Sequence, residues 1–97
     1  MQFEWDSNKE AGNKAKHGVA FVEACTVFED PLSSTLPDPD HSEGEAGFLT
    51  FGVSAEGRPL VVAHTEQDDR IRVMSSCLMT RRERQAYEST RKRRSSA

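Results

Sequence analysis

Arg70, Arg72 and Met74 alternate with Ile71 and Val73. That is the period of a β-strand, so the arginines project from one face and the aliphatic pair from the other. Two guanidiniums on one sheet face are suited to gripping phosphates, because each offers a planar bidentate fork. From periodicity alone, solvated charges paired with Glu66, Asp68 or Asp69 are the simpler account. His64 lies mid-strand on the face of Leu60 and Val62, and its titration range suits a general acid or base. A half-buried histidine bonded to a neighbour explains it more simply. Lys16 and His17 close a helix, where a cation offsets the dipole and no further role is required. Arg81, Arg82 and Arg84, with the basic run Arg91 to Arg94 behind them, could touch RNA phosphates or an acidic partner. The same run reads as a solvated helix face balanced by Glu83 and Glu88. Only Tyr87 interleaves with these cations, so support for base stacking is thin.

Asp40, His41 and Glu43 hold three potential metal ligands in an acidic loop, a grouping common by chance. Trp5-Asp6 reads as a buried aromatic followed by a helix N-cap. No Gly-rich phosphate loop, HExxH, GxSxG or dinucleotide fingerprint occurs. Nucleotide, zinc and hydrolase-triad chemistry therefore lose their usual support, and no metal or cofactor is expected. Cys25 and Cys77 stand alone, without a CxxC pair, and are expected to be free thiols.

The elements that must position these groups can be read in order. Gln2 to Trp5 alternates as a first strand, with Phe3 and Trp5 on one face. Asp6 stands at an N-cap and Gly18 at a left-handed stop, which predicts a helix over about 7–16. Val19 to Phe28 carries apolar residues at i, i+3, i+4 spacing, a second helix ending at Asp30-Pro31. The acidic stretch Glu29 to Glu45 contains Pro31, Pro37 and Pro39 and reads as a loop with an edge strand at Ser34 to Leu36. Phe48 to Val53, Leu60 to Thr65 and Arg70 to Ser75 read as strands joined by short polar connectors, hence antiparallel hairpins. Thr80-Arg81-Arg82-Glu83 fits a capping box that starts a helix to about Ser89. The order strand, helix, helix, three or four strands, helix predicts an α+β fold: a small antiparallel sheet packed with three helices.

The chain has 97 residues, room for one domain, expected over residues 1–90 with a basic flexible tail at 91–97. It carries 13 Lys+Arg against 16 Asp+Glu, a formal net charge of -3. The distribution is uneven, because from Arg81 to Arg94 seven basic residues face only Glu83 and Glu88. The remaining body is net acidic, which argues against a protein that coats nucleic acid indiscriminately and leaves room for a localised phosphate-binding strip. No apolar run approaches the roughly 20 residues needed to cross a bilayer, and the N-terminus lacks a basic-then-apolar signal pattern. A cytoplasmic protein without a membrane partner is expected.

Taken in order, several clusters resemble the BrnT family of type II toxin–antitoxin toxins. They are Trp5-Asp6-x-Asn8-Lys9, Lys16-His17-Gly18-Val19-x-Phe21-x-Glu23-Ala24, Val27-Phe28-x-Asp30-Pro31 and Pro39-Asp40-His41-Ser42-x-Gly44-Glu45. The match continues through Phe48-Leu49-Thr50-x-Gly52, His64-Thr65, Asp69-Arg70-Ile71-Arg72 and Thr80-Arg81-Arg82-Glu83-Arg84, with Tyr87-Glu88. The resemblance implies a RelE-like fold, metal-independent ribonuclease activity that inhibits translation, and neutralisation by a BrnA-like ribbon-helix-helix antitoxin. Operator DNA would be reached only indirectly, through that antitoxin. By the same resemblance Arg72 matches the family's strand arginine, and Lys16, His17 and His64 join it as candidate catalytic groups. Arg70, Arg81, Arg82 and Arg84 are the candidate RNA contacts.

Two departures bear on activity. The family commonly reads Glu-Arg before the Phe-Leu-Thr strand, where this chain has Ala46-Gly47, and Ser-Ala-Arg-Lys at the end of the last strand, where Ser75-Ser76-Cys77-Leu78 stands. Three outcomes follow: a toxin with reduced activity, an active ribonuclease in which Arg72, Arg81 or Arg82 substitutes, or an antitoxin-binding co-repressor subunit without RNA chemistry.

Overall fold

A computed structural model describes residues 1–39 and 46–95, with side chains through Lys92 in the last helix. In chain order the elements are β1 (Gln2–Glu4), α1 (Ser7–His17), α2 (Phe21–Thr26), a 3-10 turn (Val27–Glu29), β2 (Ser34–Pro37), β3 (Gly47–Val53), β4 (Pro59–Gln67), β5 (Arg70–Leu78) and α3 (Arg81–Ser95). The architecture is α+β, with three α-helices and one five-stranded sheet ordered β1-β5-β4-β3-β2.

The helices start and stop where the local chemistry dictates. Asp6 Oδ1 accepts from the N–H groups of Asn8 (2.7 Å) and Lys9 (3.2 Å), and Gly18 closes α1 at φ 70°. α2 has no local side-chain cap. Its Phe21 N–H instead donates 2.9 Å to a carboxylate oxygen of Glu10, so α1 caps α2. The second helix is thereby shorter than the apolar spacing predicts, and it tightens into the 3-10 turn before Asp30-Pro31. In α3 the capping box forms: Thr80 N–H donates to Glu83 Oε1 at 2.8 Å and Glu83 N–H to Thr80 Oγ1 at 3.2 Å. This helix continues to Ser95 rather than ending near Ser89, so it takes in residues 91–95 of the expected tail. No Pro or Gly interrupts residues 81–95. Cations near its C-terminus also favour the dipole.

Strands β2 to β5 pair antiparallel, β3 with β4 and β4 with β5 as the hairpin spacing predicts. β1 instead lies parallel to β5, with Gln2, Phe3 and Glu4 opposite Arg70, Ile71 and Arg72, so the sheet is mixed. The cause is that α1 lies between β1 and the remaining strands in sequence and returns the chain from the far end of the sheet. Beyond β1 the outer edge of β5 is uncovered by any strand, and Asn13 of α1 takes it. The Asn13 side chain receives Ser76 N–H at 3.0 Å and donates to Ser76 O and Val19 O, each at 2.9 Å. The β4–β5 hairpin turns on Asp68-Asp69, Asp68 adopting φ 56°, a conformation short polar side chains tolerate.

The core lies between the sheet and the α1–α2 layer. Val19, Phe21, Ala24, Val27, Leu60, Val62 and Val73 form one buried cluster, with Trp5, Cys25 and Phe28 packed against it. Glu23 fastens this layer to the β3–β4 turn, accepting from the Arg58 guanidinium and from Ser54 Oγ at 2.7 Å. Its hydrogen bond with Arg58 is the main reason that the Glu23 carboxyl is held down to about 2.

Candidate functional site

A β-bulge decides which residues share the open face. Opposite Ala63 and His64 on β4 stand Ser75 and Val73 on β5, leaving Met74 as the extra residue. Simple alternation would place Met74 and Ser76 beside the arginines. The bulge turns Ser75 and Cys77 to that face instead, across from Ala63 and Val61, while Ser76 is buried and donates 3.0 Å to Val61 O.

The resulting register puts Gly47, Thr65, Arg72 and Glu4 in one row across β3, β4, β5 and β1, and Gln67, Arg70 and Gln2 in the next. Directly opposed residues share a face, so these side chains point away from α1 and α2. All of them except Gly47 line a cleft of about 670 Å³ with Asp68 and Asp69 at its turn end. Arg72 Nη1 lies 3.4 Å from Glu4 Oε2, and their side chains are 44% and 43% exposed. The sequence suggests Glu66, Asp68 or Asp69 as partners of the arginines; the carboxylate paired with Arg72 is Glu4. Local sequence carried no signal for this contact, because it depends on the parallel pairing of β1 with β5.

His64 lies on the other face. It is 1% exposed, edge-on to Phe28 at 4.9 Å and stacked on Phe48 at 5.9 Å. Its Nε2 meets Thr50 Oγ1 at 2.7 Å, and Thr50 Oγ1 meets Thr35 Oγ1 at 2.8 Å. An oxygen of Glu66 lies 3.5 Å from Nδ1, yet Nδ1 has no hydrogen-bond partner among the described residues. Burial pushes the imidazole down to about 4, so it is neutral at pH 7. Lys16 and His17 are exposed at the end of α1. That helix end is tied to the sheet through Asn13 and Ser76, and Arg58 Nη2 donates 3.2 Å to Gly18 O. Ser76 is roughly 12 Å along β5 from Arg72 at about 3.3 Å per residue. Of the four candidate catalytic residues, only Arg72 therefore faces the cleft, where Arg70 joins it.

The other half of the open face is apolar and lies under α3. Leu32, Leu36, Phe51, Ala86 and Tyr87 line a groove of about 290 Å³, with Arg82 at its rim. Arg81, Arg82 and Arg84 are exposed. Tyr87 anchors the helix by donating 2.6 Å to Asp30 Oδ2. Burial, then that bond, raises the Tyr87 hydroxyl to about 12. Cys77 is half-buried and free, and burial raises its thiol, as it does that of Cys25.

Asp40, His41 and Glu43 lie outside the described residues, and no grouping of three metal-ligating side chains occurs among those described. No helix among them is long and apolar enough to cross a membrane.

Fold and cleft together define a small α+β domain that presents paired guanidiniums on an open sheet face. A family profile described as the ribonuclease toxin, BrnT, of type II toxin-antitoxin system matches residues 5–83, and the chain belongs to that family. Membership implies an antitoxin partner. The crystal structure of the Brucella abortus ribonuclease toxin BrnT is similar to this fold, with a TM-score of 0.65 at 18% identity over 84% of this chain and 99% of that one. No curated protein matches the sequence.

Proposed function

We propose that this chain is a ribonuclease toxin acting from the open sheet face, with activity lowered by Gly47 and Cys77 and neutralised by a BrnA-like antitoxin that covers that face. The observation that carries the reading is the register. Gly47 shares a row with Arg72, and Cys77 lies farther along β5 opposite Val61, so both positions that lack the family's guanidinium lie on the open face that carries Arg72. Arg72 and Arg70 hold the scissile phosphate and offset its developing charge, a role suited to exposed guanidiniums at the foot of a cleft. Arg81, Arg82 and Arg84 steer the flanking RNA backbone, and Lys16 and His17 contact it beyond the far end of the sheet. His64, buried and neutral, acts as a positioning residue that holds β3 and β4 in register through Thr50.

Each missing cation removes roughly 2–4 kcal/mol of transition-state stabilisation if it contacts the reacting group, a rate cost on the order of hundreds-fold. Cleavage of a single-stranded RNA by the purified chain is therefore expected to be slow and to rise at least tenfold in Gly47→Arg/Cys77→Arg. Arg72→Ala in that background should abolish the gain. If neither protein cleaves RNA nor arrests growth while the antitoxin still binds, the chain is a co-repressor subunit instead. Operator DNA is then contacted through the antitoxin in either case.

A further inference from the structure

We propose that Glu4 is the general base of the open-face site, an inference that rests on the ribonuclease reading above. Cleaving RNA without a metal requires a group that takes the 2′-hydroxyl proton close to the cation that receives the phosphate. The described histidines do not stand there: His64 is buried on the opposite face, and His17 lies at the other end of the sheet. Glu66 alternates onto the helix side with His64. Asp68 and Asp69 sit in the turn beyond the strand ends.

Glu4 meets the geometric requirement. β1 pairing sets its backbone opposite Arg72, and its carboxylate lies 3.4 Å from the Arg72 guanidinium with 43% of the side chain in solvent. In RNA the 2′-oxygen and the phosphorus it attacks are within about 3–3.5 Å in a near-attack arrangement. A carboxylate and a guanidinium one contact apart can therefore engage the hydroxyl and a phosphate oxygen together. Thr65 and Gln67 on β4, opposite Arg72 and Arg70, extend the polar lining of the cleft beyond β5.

The step balances within the substrate and water. O2′ bonds to phosphorus as its proton passes to a Glu4 carboxylate oxygen. The P–O5′ bond breaks, and O5′ takes a proton from water. The products are a 2′,3′-cyclic phosphate and a 5′-hydroxyl end, and the Glu4 proton then neutralises the hydroxide left behind. Arg72 stays cationic throughout and holds the non-bridging oxygens.

Single-turnover cleavage of a mixed-sequence RNA oligonucleotide tests this in both the natural chain and Gly47→Arg/Cys77→Arg. Glu4→Gln should lower the cleavage rate about 100-fold or more while RNA affinity stays equal or tightens, because a negative charge leaves a phosphate site. Glu4→Asp should recover part of the rate, and the products should carry the cyclic phosphate. Equal or faster cleavage by Glu4→Gln overturns the proposal and leaves Glu4 as a counter-ion of Arg72. Undiminished cleavage of an oligonucleotide with 2′-deoxyribose at every cut site also overturns it. If neither background cleaves RNA at all, the ribonuclease reading has failed and the base assignment falls with it. An active enzyme indifferent to Glu4 defeats the base assignment alone.

Discussion

On the helix side of the sheet, Phe21, Leu60, Val62 and Val73 exclude water, and the histidine among them is held neutral. On the open side, Arg72 and Glu4 stand nearly half in solvent within a cleft, one residue along each strand from that core. Neighbouring residues of β4 and β5 thus live in opposite environments, as the alternation of a strand requires. The difference teaches why a histidine and an arginine close in sequence do not share a task. His64 has polar bonding and a low-dielectric setting that suit structure, whereas Arg72 keeps the solvent contact and the free donors that an anionic ligand needs.

The contrast predicts that stability resides on one face and RNA handling on the other. The largest effect is expected from Phe21→Ala, which removes a side chain with no solvent exposure. It should cost about 3–5 kcal/mol in urea unfolding. A loss below 1 kcal/mol would break the comparison by showing that the helix layer is not the core.

The next effect is acid sensitivity. Folding lowers the His64 pKa from 6.5 to about 4, so between these values the unfolded chain binds the extra proton. Stability then falls as pH falls through this window. The expected drop between pH 7 and pH 5 is about 2 kcal/mol. Urea titrations of the natural chain and of His64→Gln should show the slope in the first and a flatter line in the second. Glu23, whose depressed carboxyl stabilises the fold above 4.5, loses its contribution only lower, as pH falls toward 2.

The smallest stability effect is expected from Arg72→Ala, because exposed ion pairs contribute about 0–1 kcal/mol. Its RNA affinity should nonetheless fall and become less sensitive to salt, as filter binding at several ionic strengths would show. A destabilisation of several kcal/mol would mean that Arg72 belongs to the structural side.

Much of the fold was legible along the chain because its signals are local. Asp6 and Gly18 mark both ends of α1, Thr80 and Glu83 mark the start of α3, and short polar connectors mark the hairpins. The α2 start was less legible, since its cap comes from Glu10 on another helix. The site was half legible: strand alternation put Arg70 and Arg72 on one face, and the structure keeps them there. It extended that face wrongly to Met74, because a bulge has no fixed sequence mark.

By itself the sequence determined the elements, their order and a localised surplus of cations, all of which follow from nearest-neighbour chemistry and period. Tertiary structure decided what those elements bring together. The parallel return of β1 placed Glu4 against Arg72, the bulge at Met74 turned Cys77 onto the open face, and packing under Phe28 and Phe48 kept His64 off it. Each depends on contacts between residues far apart in the chain, where register and burial, rather than local propensity, set which groups meet.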